Sequence, residues 1–117
     1  MEYMLLIYHN EEEAKSRPEA EKQRIFQEFA AFTQDVMKSG HRKAGGPLDF
    51  TKTAATVRVR DGRTMVTDGP FAETKEQLGG YVLVEAKDLD EAIAIAARIP
   101  SSKYGSTEVR PVMKINM

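Results

Sequence analysis

The pattern of apolar and polar positions begins with a strand that is followed by a helix. A continuous apolar run at Tyr3–Tyr8 is typical of a central strand buried on both faces. Residues 9–13 are polar and are predicted to form a loop. The segment Ser16–Glu19 has a capping-box pattern, and apolar residues then recur with helical spacing from 25 to 37. We therefore predict a helix from this segment to Lys38, with its phenylalanines in the core.

The middle of the chain carries a strong hairpin signal. Segments 54–60 and 63–68 flank Asp61-Gly62, a pair that is favoured in two-residue type I′ turns. That turn sets the pairing register, and side chains alternate between the two faces of each strand. The carboxylate of Asp68 is therefore predicted to end the apolar face of the hairpin, which also carries Val57, Val59 and Val66.

A second strand and helix follow the hairpin. An apolar strand is predicted at 80–86, and the segment Asp88–Glu91 starts a helix with a second capping-box pattern. Pro100 ends that helix, because proline has no backbone N–H to donate. The predicted apolar face of the helix consists of Leu89, Ala92, Ile93, Ala96 and Ala97.

Two further strands are predicted from weaker signals. The first is short, at 41–44, and is ended by Gly45-Gly46-Pro47. The second covers roughly 107–115, and Pro111 within it indicates an edge strand or a bulge, because the ladder loses one donor there.

The predicted order is βαββαβ once the hairpin is set aside. This order predicts an α+β fold of the ferredoxin-like type with an inserted β-hairpin, in a single domain over 1–117. Two helices would cover one face of the sheet, and the other face is apolar as well. A homodimer that pairs through these sheet faces is the expected solution.

Composition narrows the classes of partner and environment. The chain has 117 residues, a net charge of −1 and no cysteine. Without a basic excess, nucleic acid is not an expected partner, and without an apolar run of roughly 20 residues no membrane span is expected. The absence of cysteine excludes disulfides and cysteine zinc sites, and it suits a reducing compartment. We expect a soluble cytoplasmic protein.

Asp68 and His9 are the candidate catalytic residues. A desolvated carboxylate at the end of an apolar face could act as a general base, and the alternative is an Asx-type turn in which Asp68 accepts backbone N–H groups. His9 lies where the first strand meets a loop and could pair with Asp68, or it could be a solvated loop histidine.

Candidate ligand-binding residues lie around the same elements. Tyr81 could project from its strand into a cleft or pack in the core, and Arg58 could bind an anion or lie along an exposed strand face. Glu73 and Lys75 could form a lid, a partner contact or a plain solvated loop. Gly79-Gly80 indicates close backbone approach. No metal and no cofactor is expected, because adjacent glutamates near His9 are usually a solvated charge run.

Several stretches together resemble the DGPF-domain branch of the YCII-related family. They are Met4–Tyr8, Ala55–Gly62, the long stretch Asp68–Gly80, and Tyr104–Ser106 with Glu108–Pro111. The resemblance spans nearly the whole chain. It implies a subunit that pairs through its sheets into a dimeric α+β barrel, a superfamily that includes muconolactone-isomerase-like enzymes and haem- or quinone-handling monooxygenases.

The resemblance also marks one departure. The broader family is associated with a His–Asp pair, with the His on the first helix and the Asp in an Asp-Pro step after the second. Here the first predicted helix contains no histidine, and Pro100 follows Ile99. Chemistry that depends on that pair is therefore not implied for this chain.

Two functions follow from these observations. The first is binding of a small organic molecule, with proton transfer as the reaction class, in a cleft of a dimeric barrel. The alternative is a non-catalytic interaction module, for which the resemblance implies an association with an extracytoplasmic-function sigma factor. In that case the charged loop at 73–76 would contact the partner.

Overall fold

Four strands form one antiparallel sheet, and the two long helices lie across one of its faces. The computed structural model describes residues 1–116. Its strands are β1 (Glu2–His9), β2 (Arg42–Pro47), β3 (Ala55–Arg60), β4 (Arg63–Asp68), β5 (Gln77–Glu85) and β6 (Ser106–Pro111), and its α-helices are α1 (Glu11–Ser16), α2 (Glu19–Lys38) and α3 (Leu89–Ala97). The sheet has the order β2-β5-β1-β6, and β3 pairs only with β4 in a separate two-stranded sheet. The predicted ferredoxin-like order with an inserted hairpin is confirmed.

The core lies between this sheet and the helices. Alternate residues of β1 face the helices and are buried, as are those of β5 that point the same way. They pack against Phe32 and Val36 of α2 and against the inner face of α3. Leu5 and Val36 are completely buried, and each such side chain contributes about 1.5–3 kcal/mol.

The opposite face of the sheet is open in the single chain. Its apolar residues are only half-buried, so the single chain covers one face of β1, and burial of the second face stays a prediction. We call this surface the open sheet face; its central residues are Met4, Leu6, Tyr8, Tyr81 and Leu83.

The hairpin has the predicted register. All six predicted cross-strand pairs are present, from Arg60 opposite Arg63 at the turn to Ala55 opposite Asp68 at the base. Asp61 and Gly62 have φ values of 52° and 75°, and both positive values are what a type I′ turn requires. We call residues 55–68 the arm, because it projects from the sheet with nearly all of its side chains exposed.

The start of the first long helix differs from the prediction. Residues predicted as a polar loop form α1, which is capped by Asn10: its side-chain oxygen accepts the Glu13 N–H at 3.0 Å. Ser16 therefore closes α1, its hydroxyl donating to the Glu13 carbonyl at 3.1 Å, and α2 begins after Pro18 without a side-chain cap. Because Asn10 caps a helix that begins earlier than predicted, Ser16 lies at the end of α1, where it cannot act as an N-cap.

The glycines after the predicted short strand continue it instead of breaking it. β2 runs on to Pro47 and pairs with β5 through Gly45 and Gly46. A Cβ added to Gly45 would lie 2.8 Å from the Tyr81 carbonyl oxygen, so the missing side chain is what lets the two backbones approach.

Two predicted helix faces are shifted. Phe26 was predicted to be a core residue, yet 74% of it is exposed; of the phenylalanines of α2, Phe32 is buried and Phe29 packs beside the core. In α3 the buried face is centred on Ile95, whereas Ile93 is 48% exposed. Helical spacing alone leaves the direction of the face uncertain by about one residue, or roughly 100°.

The last strand is shorter than predicted, and its position is as expected. β6 ends at Pro111 and is an edge strand of the sheet, so the missing N–H of proline breaks no inner ladder. β5 begins at Gln77, before the start at residue 80 that was predicted for this strand.

Candidate functional site

His9 lies at the carboxyl end of β1, on the helix side of the sheet, against a bulge in β5. The pairing of β1 with β5 shifts register after Ile7, so that His9 pairs with Gln77. A Cβ added to Gly79 would lie 2.5 Å from the His9 Nε2 atom. The close approach predicted for Gly79-Gly80 is confirmed: Gly79 makes room for the imidazole ring, and a Cβ on Gly80 would lie 3.2 Å from the Gly46 carbonyl oxygen.

Burial and charge tune this imidazole. Desolvation lowers the pKa of His9 below its usual 6.5, and the Arg17 guanidinium acts in the same direction. The carboxylates of Glu11 and Glu76 oppose the shift without cancelling it. His9 is therefore a neutral imidazole near pH 7, able to accept a proton.

Glu11 was predicted to belong to a solvated charge run, and it is instead buried. Its side chain is 6% exposed and accepts two hydrogen bonds from Thr51, one from the backbone N–H at 2.7 Å and one from the hydroxyl at 2.8 Å. The Glu11 N–H in turn donates to the Gln77 side-chain oxygen at 2.9 Å. Glu11 thus ties the residues that precede the arm to the end of β1.

A cleft opens on the helix side, between the first two helices and the 3₁₀ turn at Pro100–Lys103. It has a volume of about 390 Å³. We call it the Arg17–Tyr104 cleft; it is lined by Glu13, Arg17, Glu21, Arg24, Ile25, Glu28, Pro100, Lys103 and Tyr104. A volume of this size is in the range of small-molecule sites.

Arg17 and Tyr104 form the stacked wall of this cleft. The guanidinium carbon of Arg17 lies 4.5 Å from the centroid of the Tyr104 ring, a cation–π geometry. Burial raises the pKa of Tyr104, and Arg17 lowers it by less. The phenol is therefore a neutral hydroxyl group at physiological pH, available to donate a hydrogen bond.

The charges along the cleft are balanced. Its three cations face three carboxylates, and Arg24 is held by Glu28 at 2.7 Å and lies 3.8 Å from Glu21. Arg17 lies farther from its carboxylate, with 4.0 Å between its Nε atom and Glu21. Of the two arginines that line the cleft, Arg17 is consequently the less committed to an ion pair.

The cleft adjoins the end of β1 through a glycine. The backbone at Gly105 is so close to β1 that an added Cβ would collide with the Tyr8 carbonyl oxygen and lie 3.4 Å from the Cα atom of His9. Arg17 also acts on the pKa values of both His9 and Tyr104. We call His9, Arg17 and Tyr104 the helix-side cluster: Arg17 and Tyr104 line the cleft, and the backbone of His9 adjoins it.

The residues predicted for the site lie on separate surfaces of the single chain. Tyr81 is on the open sheet face, whereas His9 is on the helix side. Asp68 and Arg58 are exposed on opposite faces of the arm, so the expected desolvation of the Asp68 carboxylate is not observed in the single chain. Glu73 and Lys75 are exposed in the loop between the arm and β5, so they join neither Tyr81 nor His9.

Three residues of the cluster and its support were missed from sequence. Arg17 and Glu11 give no local signal, since each is one charged residue among several. Tyr104 opens one of the stretches on which the family resemblance depends, and that was the available signal.

The comparisons agree with the sequence resemblance. A profile of the YCII-related domain matches residues 1–116. The chain belongs to the YCII-related domain family. It is 37% identical over 114 residues to an uncharacterized protein of Rhizobium meliloti (strain 1021), covering 96% of this chain and 92% of that protein.

A solved structure shares the fold of this family member. It is the 5-chloro-2-hydroxyhydroquinone dehydrochlorinase TftG of Burkholderia phenoliruptrix AC1100, in complex with 2,5-dihydroxybenzoquinone. The match has a TM-score of 0.52 and 18% identity, and it covers 97% of this chain and 94% of that one. At this identity the likeness shows the fold alone, and that fold is ferredoxin-like. Within residues 1–116, no helix combines the length and apolarity of a membrane span.

Proposed function

We propose that this YCII-related chain binds a small organic molecule in the Arg17–Tyr104 cleft. The observation that carries the proposal is the stacked pair itself, which offers a flat surface, a cation and a neutral hydroxyl donor in a cleft of about 390 Å³. A planar molecule with hydroxyl, carboxylate or keto oxygens matches these groups, because Arg binds such oxygens with its flat fork of N–H donors. The quinone named with TftG belongs to the same chemical class.

We extend the proposal to proton transfer, with His9 as the base. A histidine whose pKa is held below 6.5 by burial is unprotonated at pH 7, which is the state a general base requires. A hydroxylated ring bound beside it has acidic O–H groups from which a proton can be removed. His9 adjoins the cleft at Gly105 and does not line it, so the proton would pass from the ring to the imidazole through one water molecule, and binding and proton transfer can be tested separately.

The binding step is tested by calorimetry against a panel of hydroxylated and carboxylated aromatic compounds. Tyr104→Phe removes one hydroxyl donor and is expected to weaken binding about tenfold. Lys22→Met is the matched control, because Lys22 lies on α2 outside the cleft, in a depression lined by that helix alone. Equal effects of the two substitutions would assign binding elsewhere.

The proton-transfer step is tested with any compound that binds. His9→Gln is expected to leave the Kd within about threefold and to remove the acidic limb of the pH–rate profile. A variant that retains both the rate and the profile would exclude His9 as the base.

We also propose that the chain forms a homodimer through the open sheet face. Its apolar side chains are half-buried without a helix over them, and a second copy would cover them. Tyr81 would then lie inside the barrel between the two sheets. The proposed roles of Asp68 and Arg58 likewise require a second chain, because the arm holds both residues away from His9.

The alternative function is the interaction module. The loop at 69–76 favours it, since Phe71 is 79% exposed and Glu73 and Lys75 point to solvent. A regulatory partner such as a sigma factor would contact this loop. Exchanging the charges with Glu73→Lys and Lys75→Glu should then abolish partner binding and leave small-molecule binding unchanged.

A further inference from the structure

The arm has no packing partner in its own chain. Each of its strands packs mainly on the other, and its apolar side chains stay in solvent: 61% of Val57, 59% of Val59 and 63% of Val66 is exposed. A two-stranded hairpin by itself is at best marginally stable in water. A surface of this kind requires something to cover it.

The two faces of the arm differ in chemistry. The register puts Val57, Val59 and Val66 on one face, with Asp68 at its end. The opposite face carries Met65 and three arginines, Arg58, Arg60 and Arg63. Antiparallel sheets commonly pack one face and leave the other in water. Because the valine face is the apolar one, it is the face that we expect to dock.

The root of the arm is tied down. The Gly69 N–H donates to the Ala54 carbonyl at 2.7 Å, and the Thr56 hydroxyl donates to the Gly69 carbonyl at 2.8 Å. Thr51, just before the root, is held by Glu11 through two hydrogen bonds. The first two bonds close the base of the hairpin, and the bonds to Glu11 anchor the segment before it, while the valine face stays exposed.

The exposed area of the chain shows how much surface the partner must cover. The chain exposes 8389 Å², whereas a compact monomer of 13.1 kDa exposes about 6400 Å². Its radius of gyration is 16.2 Å, against about 13.4 Å for a compact domain of this length. The excess of about 2000 Å² per chain matches what each subunit of an obligate dimer buries.

Pairing of the sheets alone does not account for this excess. A face of four strands, with six residues per strand, measures roughly 20 by 20 Å, or about 400 Å². Most of the excess area therefore lies elsewhere, and the arm is the element that departs from a compact shape.

We propose that the valine face of the arm docks on a second copy of this chain. Every copy carries the same excess surface and the same arm, so a two-fold pair can exchange two arms and cover both at once. This is independent of ligand binding and rests on the homodimer proposed above, to which it adds the arm as a second contact. The Asp68–Gly80 stretch that follows the arm then lies at or beside the subunit interface.

The test compares two neighbouring residues on opposite faces of the arm. Val66 and Met65 have similar exposure in the single chain, 63% and 51%, so a glutamate at either position leaves the fold of the chain intact. Sedimentation equilibrium is expected to show a dimer for the wild type and for Met65→Glu. For Val66→Glu the dimerisation Kd is expected to rise at least about 100-fold, because a carboxylate would be buried without a partner.

Hydrogen exchange provides a second measurement on the unaltered chain. At concentrations where the chain is associated, the β3 and β4 amides are expected to be protected, and the protection is expected to fall on dilution below the Kd. A wild type that is monomeric at about 100 µM would overturn the proposal. Equal weakening by the two glutamate substitutions would overturn it too, as would arm amides that exchange as fast in the dimer as in an unstructured peptide.

Discussion

The buried carboxylate of Glu11 leads to the most direct prediction from this structure. Glu11→Ala removes both acceptors of the Thr51 donors, at 2.7 and 2.8 Å. A hydrogen bond to a charged group contributes about 1.5–3 kcal/mol. Because Thr51 is half-buried and regains some water, we take the lower end, and we expect Glu11→Ala to lower the free energy of unfolding by about 3 kcal/mol.

The assay is urea unfolding at one fixed protein concentration, because association shifts apparent stability. With an m value of about 2 kcal/mol/M, the midpoint should fall by about 1.5 M. Glu12→Ala is the matched control: Glu12 belongs to the same first turn of α1, and its side chain is 87% exposed. Both substitutions remove one charge from that turn, so the helix-dipole contribution cancels in the comparison.

A double-mutant cycle isolates the hydrogen bonds themselves. Thr51→Val deletes the hydroxyl donor and keeps the backbone N–H, so its coupling to Glu11→Ala should be about 1.5 kcal/mol. If Glu11→Ala and Glu12→Ala differ by less than about 0.5 kcal/mol, or if the coupling is absent, the buried bonds do not hold the root of the arm.

Three further predictions concern His9 and the core. Gly79→Ala should displace the His9 ring toward solvent and return the pKa of His9 toward 6.5, which NMR titration of the imidazole would measure, because the added Cβ would lie 2.5 Å from Nε2. The contribution of His9 to the free energy of unfolding should be complete above pH 6.5. It should be lost as the pH drops toward the lower pKa of His9 in the folded chain, because the unfolded chain takes up the proton first. His9→Asn should flatten that part of the pH profile of stability. Phe32→Ala should cost about 3–5 kcal/mol in urea unfolding, whereas Phe26→Ala should cost less than about 1 kcal/mol, because Phe32 is 6% exposed and Phe26 is 74% exposed.

Each of these has an outcome that contradicts its reasoning. An unchanged His9 pKa in Gly79→Ala would mean that the ring does not depend on the bulge. A pH profile of stability that is the same in His9→Asn would assign the titration to another group. A large loss of unfolding free energy in Phe26→Ala would mean that a second chain covers Phe26, and the size of that loss would then depend on protein concentration.

Much of the fold was predictable because its signals are local. The Asp61-Gly62 turn sets the register of the whole hairpin, and all six predicted pairs are present. The Asp88 side chain accepts the Glu91 N–H at 2.9 Å, as the predicted start of α3 requires. Turns and caps depend on residues within a few positions, so the sequence alone contains the information.

The candidate site was predicted less well. Sequence reasoning put His9 at the end of the first strand, as observed, but it could not place Asp68 or Tyr81 relative to it. It also missed Arg17 and Tyr104, which are 87 positions apart and meet only because α2 and the 3₁₀ turn pack on the same side of the sheet.

The amino-acid sequence by itself determined the family, the order of the strands and the two long helices, and the geometry of the hairpin, since each depends on motifs or on neighbouring residues. Only the tertiary structure decided which charged residues are buried. Nothing local separates Glu11 from Glu12, and the donors that stabilise the buried one come from Thr51, forty positions away. The burial of a charge depends on partners brought by packing, and that is why the cleft, the tuned imidazole and the uncovered arm emerged only in three dimensions.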